Sequence, residues 1–249
     1  MKELLAALIF SIQFLTRVPL RYHCDPTTIS VRTALFCFPL VGFFIGAVLF
    51  LGWYLLSMLT HFNAFTIAVI IVTIETIITG AFHLDGLADT FDALLSSGTT
   101  PEQKLTIMKD SRIGVMGAVA LSLSLLLKIV FIGELIGHNL SAVLLIYPLV
   151  GRWTLVLFLF ISPYLRASGT GHFLAQGVDS KSVIRASLWL MPCLLVPSFF
   201  LSFIVLLAVL LMYRSYIHKN LGGITGDVLG STSVIAEIVI LLTIAVFNR

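Results

Sequence analysis

The chain has 249 residues, of which 59% are hydrophobic and only 11% are charged. Soluble domains are usually about 45–50% apolar and about 25% charged, so a soluble fold would lack the polar residues to cover its surface. The same composition excludes a disordered chain, a disulfide scaffold and a nucleic-acid-binding protein, and we expect no nucleic-acid partner. The composition therefore predicts a multi-pass membrane protein, forming a single domain over residues 1–249.

The N-terminal apolar run differs from the others because it is short. Residues 4–16 are uncharged with leucine and isoleucine at helical spacing, and Arg17 closes the run. About 20 residues are needed to cross the hydrocarbon, so we expect an interfacial helix here. A signal peptide is the alternative, since Lys2 precedes the run, but no small-x-small cleavage site follows.

Six longer runs are predicted to cross the membrane as helices, because they are continuously apolar and lack the alternation of a β-barrel strand. Each has few or no charged residues: 33–60, 62–82, 113–137, 139–165, 186–213 and 228–248. The run 186–213 fits either one tilted span or a hairpin of two short helices that turns near residues 196–198. The fold predicted with the hairpin is all-α, with about seven transmembrane helices.

The distribution of lysine and arginine favours the hairpin. With it, the segments 1–32, 83–112, 162–185 and 214–230 share one side of the membrane. They hold twelve of the fifteen cations: Lys2, Arg17, Arg21, Arg32, Lys104, Lys109, Arg112, Arg166, Lys181, Arg185, Arg214 and Lys219. Only Arg249 falls on the other side. The positive-inside rule then places these segments in the cytoplasm, as expected for the cytoplasmic (inner) membrane, with the C-terminus outside.

Three carboxylates follow the third apolar run. Asp85, Asp89 and Asp92 are spaced i, i+4, i+7 and fall within roughly a 60° arc of one helix face. Like charges so placed repel one another, and Mg²⁺, which prefers a few carboxylates with water and phosphate oxygens, would offset the repulsion. A solvated acidic face is the alternative. We expect a Mg²⁺ site on this helix.

Basic residues follow the acidic helix. Thr100, Pro101 and Gln103 predict the start of a short helix with a capping box, and that helix is expected to end near residues 109–114. There Lys109 and Arg112 suit a phosphate or pyrophosphate. Their alternative role is to orient the next span and to contact lipid headgroups, membrane lipid being an expected partner.

A glycine-rich segment precedes the last apolar run. Gly222, Gly223 and Gly226 would let backbone N–H groups approach an anion, and Asp227 would add a carboxylate. The segment is not a Walker loop, since no Lys-Ser/Thr follows, and a flexible turn between helices is the alternative. The hairpin topology brings it to the same side as Asp85.

Some ionisable residues lie within or at the edges of the predicted spans: Glu75, Lys128, Glu134, Arg152 and Glu237. Such residues face a cavity or pair with one another. They would suit an ion-coupled transporter, but structural ion pairs explain them equally well. The richest polar clusters lie outside the spans, which favours an enzyme.

Carboxylates, cations and a glycine-rich loop on one side indicate metal-assisted phosphoryl or nucleotidyl transfer. The CDP-alcohol phosphotransferases are one such family, but their signature needs an arginine after Ala88, where this chain has Asp89. That match fails.

The chain resembles the cobalamin synthase, or adenosylcobinamide-GDP ribazoletransferase, family much more closely. The segments that carry the resemblance are 83–92 (HLDGLADTFD), 107–114 (IMKDSRIG) and 222–227 (GGITGD), together with 14–19 (FLTRVP) and 38–42 (FPLVG). They cover the whole chain in order. The stretch 162–200 has little that can be matched.

The resemblance implies an enzyme that joins adenosylcobinamide-GDP to α-ribazole, or to its 5′-phosphate, with Mg²⁺ and with release of GMP. We expect Asp85, Asp89 and Asp92 to hold the metal. Asp92, Asp110 and Asp227 are the catalytic candidates. The substrate-binding candidates are Lys109, Arg112, Arg17, Arg214, Gly222 and Gly223. A homo-oligomer remains open.

Overall fold

A computed structural model of the chain describes residues 2–20, 29–98, 100–196 and 198–248, and within these ranges the protein is helical. Arg21 and Arg249, used in the charge distribution, and Pro197, in the predicted hairpin turn, lie outside the described residues. The helices are α1 Lys2–Leu15, α2 Val31–Leu59, α3 Ala64–Thr79, α4 Phe82–Leu95, α5 Pro101–Ile107, α6 Val115–Gly137, α7 Val143–Ile161, α8 Thr170–Gly177, α9 Ser180–Ser187, a 3₁₀ helix Leu188–Leu195, α10 Phe199–Leu221 and α11 Gly226–Phe247.

Five of these helices are long and apolar enough to cross a membrane: α2, α6, α7, α10 and α11. The helices α3 and α4 meet at 90°, and the count among the described residues becomes six if this bent pair is one span. The all-α, multi-pass prediction is confirmed. The predicted total of seven is higher, because it also counts the first half of the hairpin, where the structure has the short α9 and the 3₁₀ helix.

The hairpin turns where the sequence predicted, but its two halves are unequal. The 3₁₀ helix ends at Leu195 and α10 begins at Phe199. The expectation of two short helices is wrong for the second half, because α10 has 23 residues and continues to Leu221. Residues 214–221, predicted to lie in a polar segment, are therefore the last two turns of a long helix.

The predicted side-sharing of the four polar segments is confirmed by contacts at one end of the bundle, called here the site end. Arg32, at the start of α2, pairs with Asp179, before α9, at 2.8 Å. Ile224, between α10 and α11, exchanges backbone hydrogen bonds with Pro163 and Leu165, after α7. At the opposite end Asn248 donates to the Ser198 hydroxyl. The chain therefore leaves the site end after α9 and returns to it once, along α10.

The centre of the bundle is formed by α2 and α7, which pack antiparallel with almost no space between them. A Cβ at Gly42 would lie 2.4 Å from the Pro148 carbonyl oxygen, and one at Gly46 would lie 2.6 Å from that of Leu144. Both helices carry fully buried side chains, among them Leu35, Phe38 and Tyr147. This rigid pair supports α11 and the segment that follows α7.

Candidate active site

The acidic helix α4 is positioned by a sharp bend after α3. Gly80 and Ala81 both have left-handed backbone conformations, with φ values of 62° and 59°. Arg17 packs against the bend, where a Cβ at Gly80 would lie 2.2 Å from its Cγ atom, and its guanidinium lies 4.6 Å from the centroid of the Phe82 ring. The bend turns α4 at right angles to α3 and lays it across the site end.

Two glycines bring α4 into contact with the start of α11. A Cβ at Gly86 would lie 2.7 Å from the carbonyl oxygen of Asp227, and one at Gly230 would lie 3.2 Å from the Cα of His83. Because these positions lack side chains, the backbone of α4 touches that of α11. The contact places Asp227 beside the carboxylates of Asp85 and Asp89.

The electrostatics of Asp89 reflect this crowding. Partial burial, reinforced by the neighbouring carboxylates of Asp85, Asp227 and Asp92, raises the pKa of Asp89 to about 6, and Arg166 opposes the shift. The predicted repulsion among the carboxylates of α4 is therefore present, and Asp227 adds to it. A cation or a proton at this point would relieve it.

A polar cavity of about 660 Å³ opens beside these carboxylates. Asp89 and Asp227 lie in its wall together with two cations, Lys109 and Arg166. The rest of the wall is formed by Leu105, Met108, Leu165, Ala167, Ser168 and Thr225. Of the predicted site residues, the structure thus gathers Asp89, Lys109 and Asp227 around one space.

Arg166 is the site residue that the sequence did not single out. Its Nη2 atom lies 2.5 Å from Oδ2 of Asp227, and both side chains are partly exposed to the cavity. The backbone pairing of residues 163–165 with Ile224 carries Arg166 to the start of α11. The available signal was a cation within the polar segment 162–185, but nothing in the sequence marked its partner.

Asp92 lies apart from this cavity. Its Oδ2 accepts a hydrogen bond from the backbone N–H of Gly114 at 2.7 Å, and its Oδ1 accepts one from that of Gly117 at 2.8 Å. A Cβ at either glycine would lie 2.3 Å from a carboxylate oxygen. The side chain thus satisfies orphan donors at the start of α6. Its predicted metal-binding and catalytic roles stay predictions.

Asp110 and Arg112 pair with each other on the surface. The Arg112 guanidinium donates to both oxygens of Asp110, at 2.7 to 3.2 Å, and the side chain of Arg112 is 87% exposed. These hydrogen bonds lower the pKa of Asp110 to about 2. The pair lines a shallow cleft beside Asp92 and Gly114, separate from the walls of the polar cavity.

The remaining substrate-binding candidates have local structural contacts. Arg214 donates from Nε and Nη2 to the carbonyl oxygen of Ile161, at the end of α7. Gly222, with φ of 82°, ends α10, and a Cβ at Gly223 would lie 2.4 Å from the Pro163 carbonyl oxygen. The two glycines thus form a tight turn, and neither they nor Arg17 and Arg214 lie in the wall of the polar cavity.

Comparison with known proteins decides between the interpretations of this arrangement. The family model of CobS, cobalamin-5-phosphate synthase, matches residues 7–245. The chain belongs to this family. Adenosylcobinamide-GDP ribazoletransferases of Clostridioides difficile and Pseudomonas fluorescens are 32% and 36% identical to it, each over 95% of this chain and over 95% and 98% of their own lengths. That of Pseudomonas paraeruginosa is 35% identical over 98% of this chain and 100% of its own. No solved structure gives a significant match.

The resemblance to the cobalamin synthase family implied Mg²⁺, and the carboxylates beside the polar cavity of this cobalamin-5-phosphate synthase family member fit that ion in part. Within the described residues no three His, Cys, Asp or Glu side chains converge on a common point. Mg²⁺, however, is often held by one or two carboxylates, with water and substrate phosphates completing its shell. Asp89, with Asp85 and Asp227 close enough to raise its pKa, offers such oxygen donors. The magnesium site stays a prediction.

Four of the five intramembrane ionisable residues of this cobalamin-5-phosphate synthase family member form one buried network. Lys128 Nζ lies 2.6 Å from Glu75 and 2.8 Å from Glu237, and Arg152 pairs with the other oxygen of Glu237. Tyr147 donates to Glu75 at 2.9 Å. Two cations and two carboxylates thus neutralise each other in the interior. This arrangement favours structural ion pairs over a transport path for these four residues.

A second cavity, of about 480 Å³, adjoins the polar one and is mostly apolar. Arg166 and Ser168 belong to the walls of both. The apolar cavity is bounded by side chains of α1, α2, α4 and α7 and by α8, and its apolar wall includes Phe14, Phe38, Phe82, Leu155, Leu159 and Leu174. Asp227, in the wall of the polar cavity, directly follows Gly226, which lies in the wall of the apolar one.

Proposed function

We propose that the protein joins adenosylcobinamide-GDP to α-ribazole, or to its 5′-phosphate, giving adenosylcobalamin or its 5′-phosphate and GMP. The names of the family and of its relatives support this reaction. The observation that carries the assignment of the site is the polar cavity in which Lys109 and Arg166 face Asp89 and Asp227. A pyrophosphate needs cations around it and a hydroxyl needs a base beside it, and this cavity offers both.

The reaction exchanges one phosphorus–oxygen bond for another. The 3′-hydroxyl oxygen of the riboside bonds to the phosphorus on the cobinamide side of the pyrophosphate. The bond from that phosphorus to the bridging oxygen breaks, and GMP leaves with that oxygen. The hydroxyl proton passes to a carboxylate, for which Asp227 is placed best because it lines the polar cavity directly after Gly226, which lines the apolar one.

Arg166 and Lys109 have the complementary role of binding the pyrophosphate. Arginine can hold two phosphate oxygens through parallel hydrogen bonds, whereas lysine acts as a compact charge. When Arg166 turns to the substrate it releases Asp227, whose carboxylate then becomes available as the base. Asp85 and Asp89 are the residues that would hold Mg²⁺, which when bound would neutralise charge on the pyrophosphate.

We further propose that the bundle lies in the inner membrane, surrounded by lipid, and that its site end lies on the cytoplasmic side. The excess of lysine and arginine in the segments at that end supports this orientation. Cysteines introduced one at a time at the exposed positions 215, 216 and 219 should label from the cytoplasmic side. Cysteines at 61–64 should label from the opposite side, and reversed labelling would reject the orientation.

The reaction is tested with the full chain purified in detergent. Adenosylcobinamide-GDP, α-ribazole and Mg²⁺ are supplied, and GMP is measured by chromatography. We expect GMP from the wild-type protein, a loss of about 100-fold in kcat/KM for Lys109→Gln, and wild-type turnover for Glu102→Gln, a surface change on α5. If no GMP forms and the protein instead drives ion-coupled accumulation of cobinamide in vesicles, the protein is an ion-coupled transporter rather than this enzyme.

A further inference from the structure

We propose that the apolar cavity is the binding site for the benzimidazole base of α-ribazole, with the ribose passing between the two cavities beside Arg166 and Ser168. This inference rests on the proposed function, which it extends by dividing the two substrates between two spaces. It assigns the base of the riboside to the apolar cavity and the pyrophosphate to the polar cavity.

The first support is the chemistry of the cavity wall. Leu155, Leu159 and Leu174 are at most 3% exposed, and Phe38 is 1% exposed. The Phe14 and Phe38 rings are stacked with centroids 5.7 Å apart. Such a wall favours a flat, neutral, apolar ring, because aromatic and aliphatic side chains cannot form hydrogen bonds with strongly polar groups.

The same chemistry excludes the other large groups of the two substrates. Guanine has hydrogen-bonding groups along most of its edge, and a wall that is mostly leucine and phenylalanine, with Gln13, His83 and Tyr164 among its few polar side chains, would leave most of them unpaired. The cobinamide macrocycle, with its amide side chains, is too large for about 480 Å³. A substituted benzimidazole has a single free ring nitrogen, so it loses little on entering the cavity, whose volume falls within the usual range for small ligands.

The second support is continuity with the reacting atoms. A riboside in the apolar cavity must present its 3′-hydroxyl to the pyrophosphate, and the shared wall of Arg166 and Ser168 lies between the two spaces. Tyr164, in the wall of the apolar cavity, lies against Gly226, one residue before Asp227, where a Cβ would be 3.7 Å from the tyrosine hydroxyl oxygen. The base cavity and the proposed catalytic carboxylate are therefore held in register by adjacent residues of α11.

The test uses two changes in the apolar cavity and one matched control. Phe14→Ala removes part of the aromatic wall, and Thr170→Trp fills the cavity from its rim. Phe44→Ala is the control, a phenylalanine that is 45% exposed, against 36% for Phe14, and lies outside both cavity walls. Initial rates of GMP release are measured while each substrate is varied in turn, and α-ribazole binding is measured separately by equilibrium dialysis.

We expect the KM for α-ribazole to rise about tenfold in Phe14→Ala and more in Thr170→Trp, with an unchanged KM for adenosylcobinamide-GDP. Phe44→Ala should match the wild type in both KM values, and all three should melt cooperatively, with a lower melting temperature only in Phe14→Ala, which loses the ring stacked on Phe38. Wild-type α-ribazole KM in both cavity variants, or a rise only for the cobinamide substrate, would overturn the inference while leaving the reaction intact.

Two further outcomes separate the inference from the proposed function. If the wild-type protein releases no GMP yet binds α-ribazole, and Thr170→Trp abolishes that binding, the reaction is rejected and the base cavity stands. If Thr170→Trp expels a co-purified lipid and leaves α-ribazole binding unchanged, the cavity holds an acyl chain and the inference is rejected. Loss of both GMP release and α-ribazole binding in the wild type rejects both proposals.

Discussion

Asp89 and Asp92 stand almost one turn apart on α4, and their carboxylates have different surroundings. Asp89 lies in the wall of the polar cavity, whereas Asp92 accepts hydrogen bonds from the backbone N–H groups of Gly114 and Gly117. One aspartate thus belongs to the site and the other joins α4 to the start of α6. Their substitutions should therefore have different consequences.

Substitution of Asp92 should reduce stability. Asp92→Ala leaves two backbone N–H groups at the start of α6 without their acceptor, and loss of such a cap costs about 0.5–2 kcal/mol. The free energy of unfolding, measured by denaturant titration in detergent, should fall by about that amount. Asp92→Asn keeps one acceptor and should lose less. Unchanged stability in both, with loss of GMP release at limiting Mg²⁺, would support the metal-ligand role instead.

Substitution of Asp89 should have the opposite effect and increase the stability of the folded protein. The pKa of its carboxyl is about 6, above the value of about 4 expected in an unfolded chain. Its charge therefore destabilises the folded protein, and this cost is absent below about pH 4 and complete above about pH 6. Without divalent cations, Asp89→Asn should raise the melting temperature at pH 7.5 by a few degrees, and the difference should vanish at pH 4.

The wild-type protein and Asp89→Asn also test the prediction that Mg²⁺ binds at Asp89. A Mg²⁺ ion held by Asp89 should raise the melting temperature of the wild type, because a ligand that binds only the folded state stabilises it. The increase should be clearly smaller in Asp89→Asn. An equal increase in both proteins, or a lower melting temperature for Asp89→Asn at pH 7.5, would contradict the placement of Asp89 in a crowded acidic site.

Arg166 should be required for turnover more than for folding. Arg166→Gln removes a cation from the polar cavity, and loss of one such group at a developing charge typically costs 10²–10³-fold in rate. We expect that range in kcat/KM for GMP release, with partial recovery in Arg166→Lys. Arg32→Gln is the control, since Arg32 forms a similar pair with Asp179 outside both cavities. An equal loss in both variants would mean a general effect on the bundle.

The sequence predicted the site unevenly, for physical reasons. The spacing of Asp85, Asp89 and Asp92 predicted one helix correctly, because helical periodicity is local. The capping box of Thr100 and Gln103 was confirmed for the same reason. The separation of Asp92 from the cavity depends on Gly114 and Gly117, more than 20 residues away, and on how closely α6 approaches α4.

The contacts between distant parts of the chain were also predicted only in part. The charge distribution predicted correctly that the segment before α11 returns to the same end as Asp85. It could not show that Arg166 pairs with Asp227, because that contact depends on a short backbone pairing between residues 163–165 and Ile224. Nor could it show that Arg214 contacts the Ile161 carbonyl, since a lone arginine at a helix end suits an anion or a carbonyl equally well.

The contact of α4 with α11 should be as important as any charged group, because it sets the distance between Asp89 and Asp227. In Gly86→Ala the new Cβ would lie 2.7 Å from the Asp227 carbonyl oxygen and 3.0 Å from its Cα, so one helix must move. Overpacking of this kind costs about 1–3 kcal/mol, and we expect GMP release to fall at least tenfold.

Gly52→Ala is the matched control for Gly86→Ala, since its Cβ would meet only two isoleucine side chains, at 3.4 and 3.6 Å. That variant should keep wild-type turnover with equal or higher stability, because alanine is a better helix former than glycine. Wild-type GMP release by Gly86→Ala would show that turnover does not depend on the separation of Asp89 and Asp227 that this contact sets.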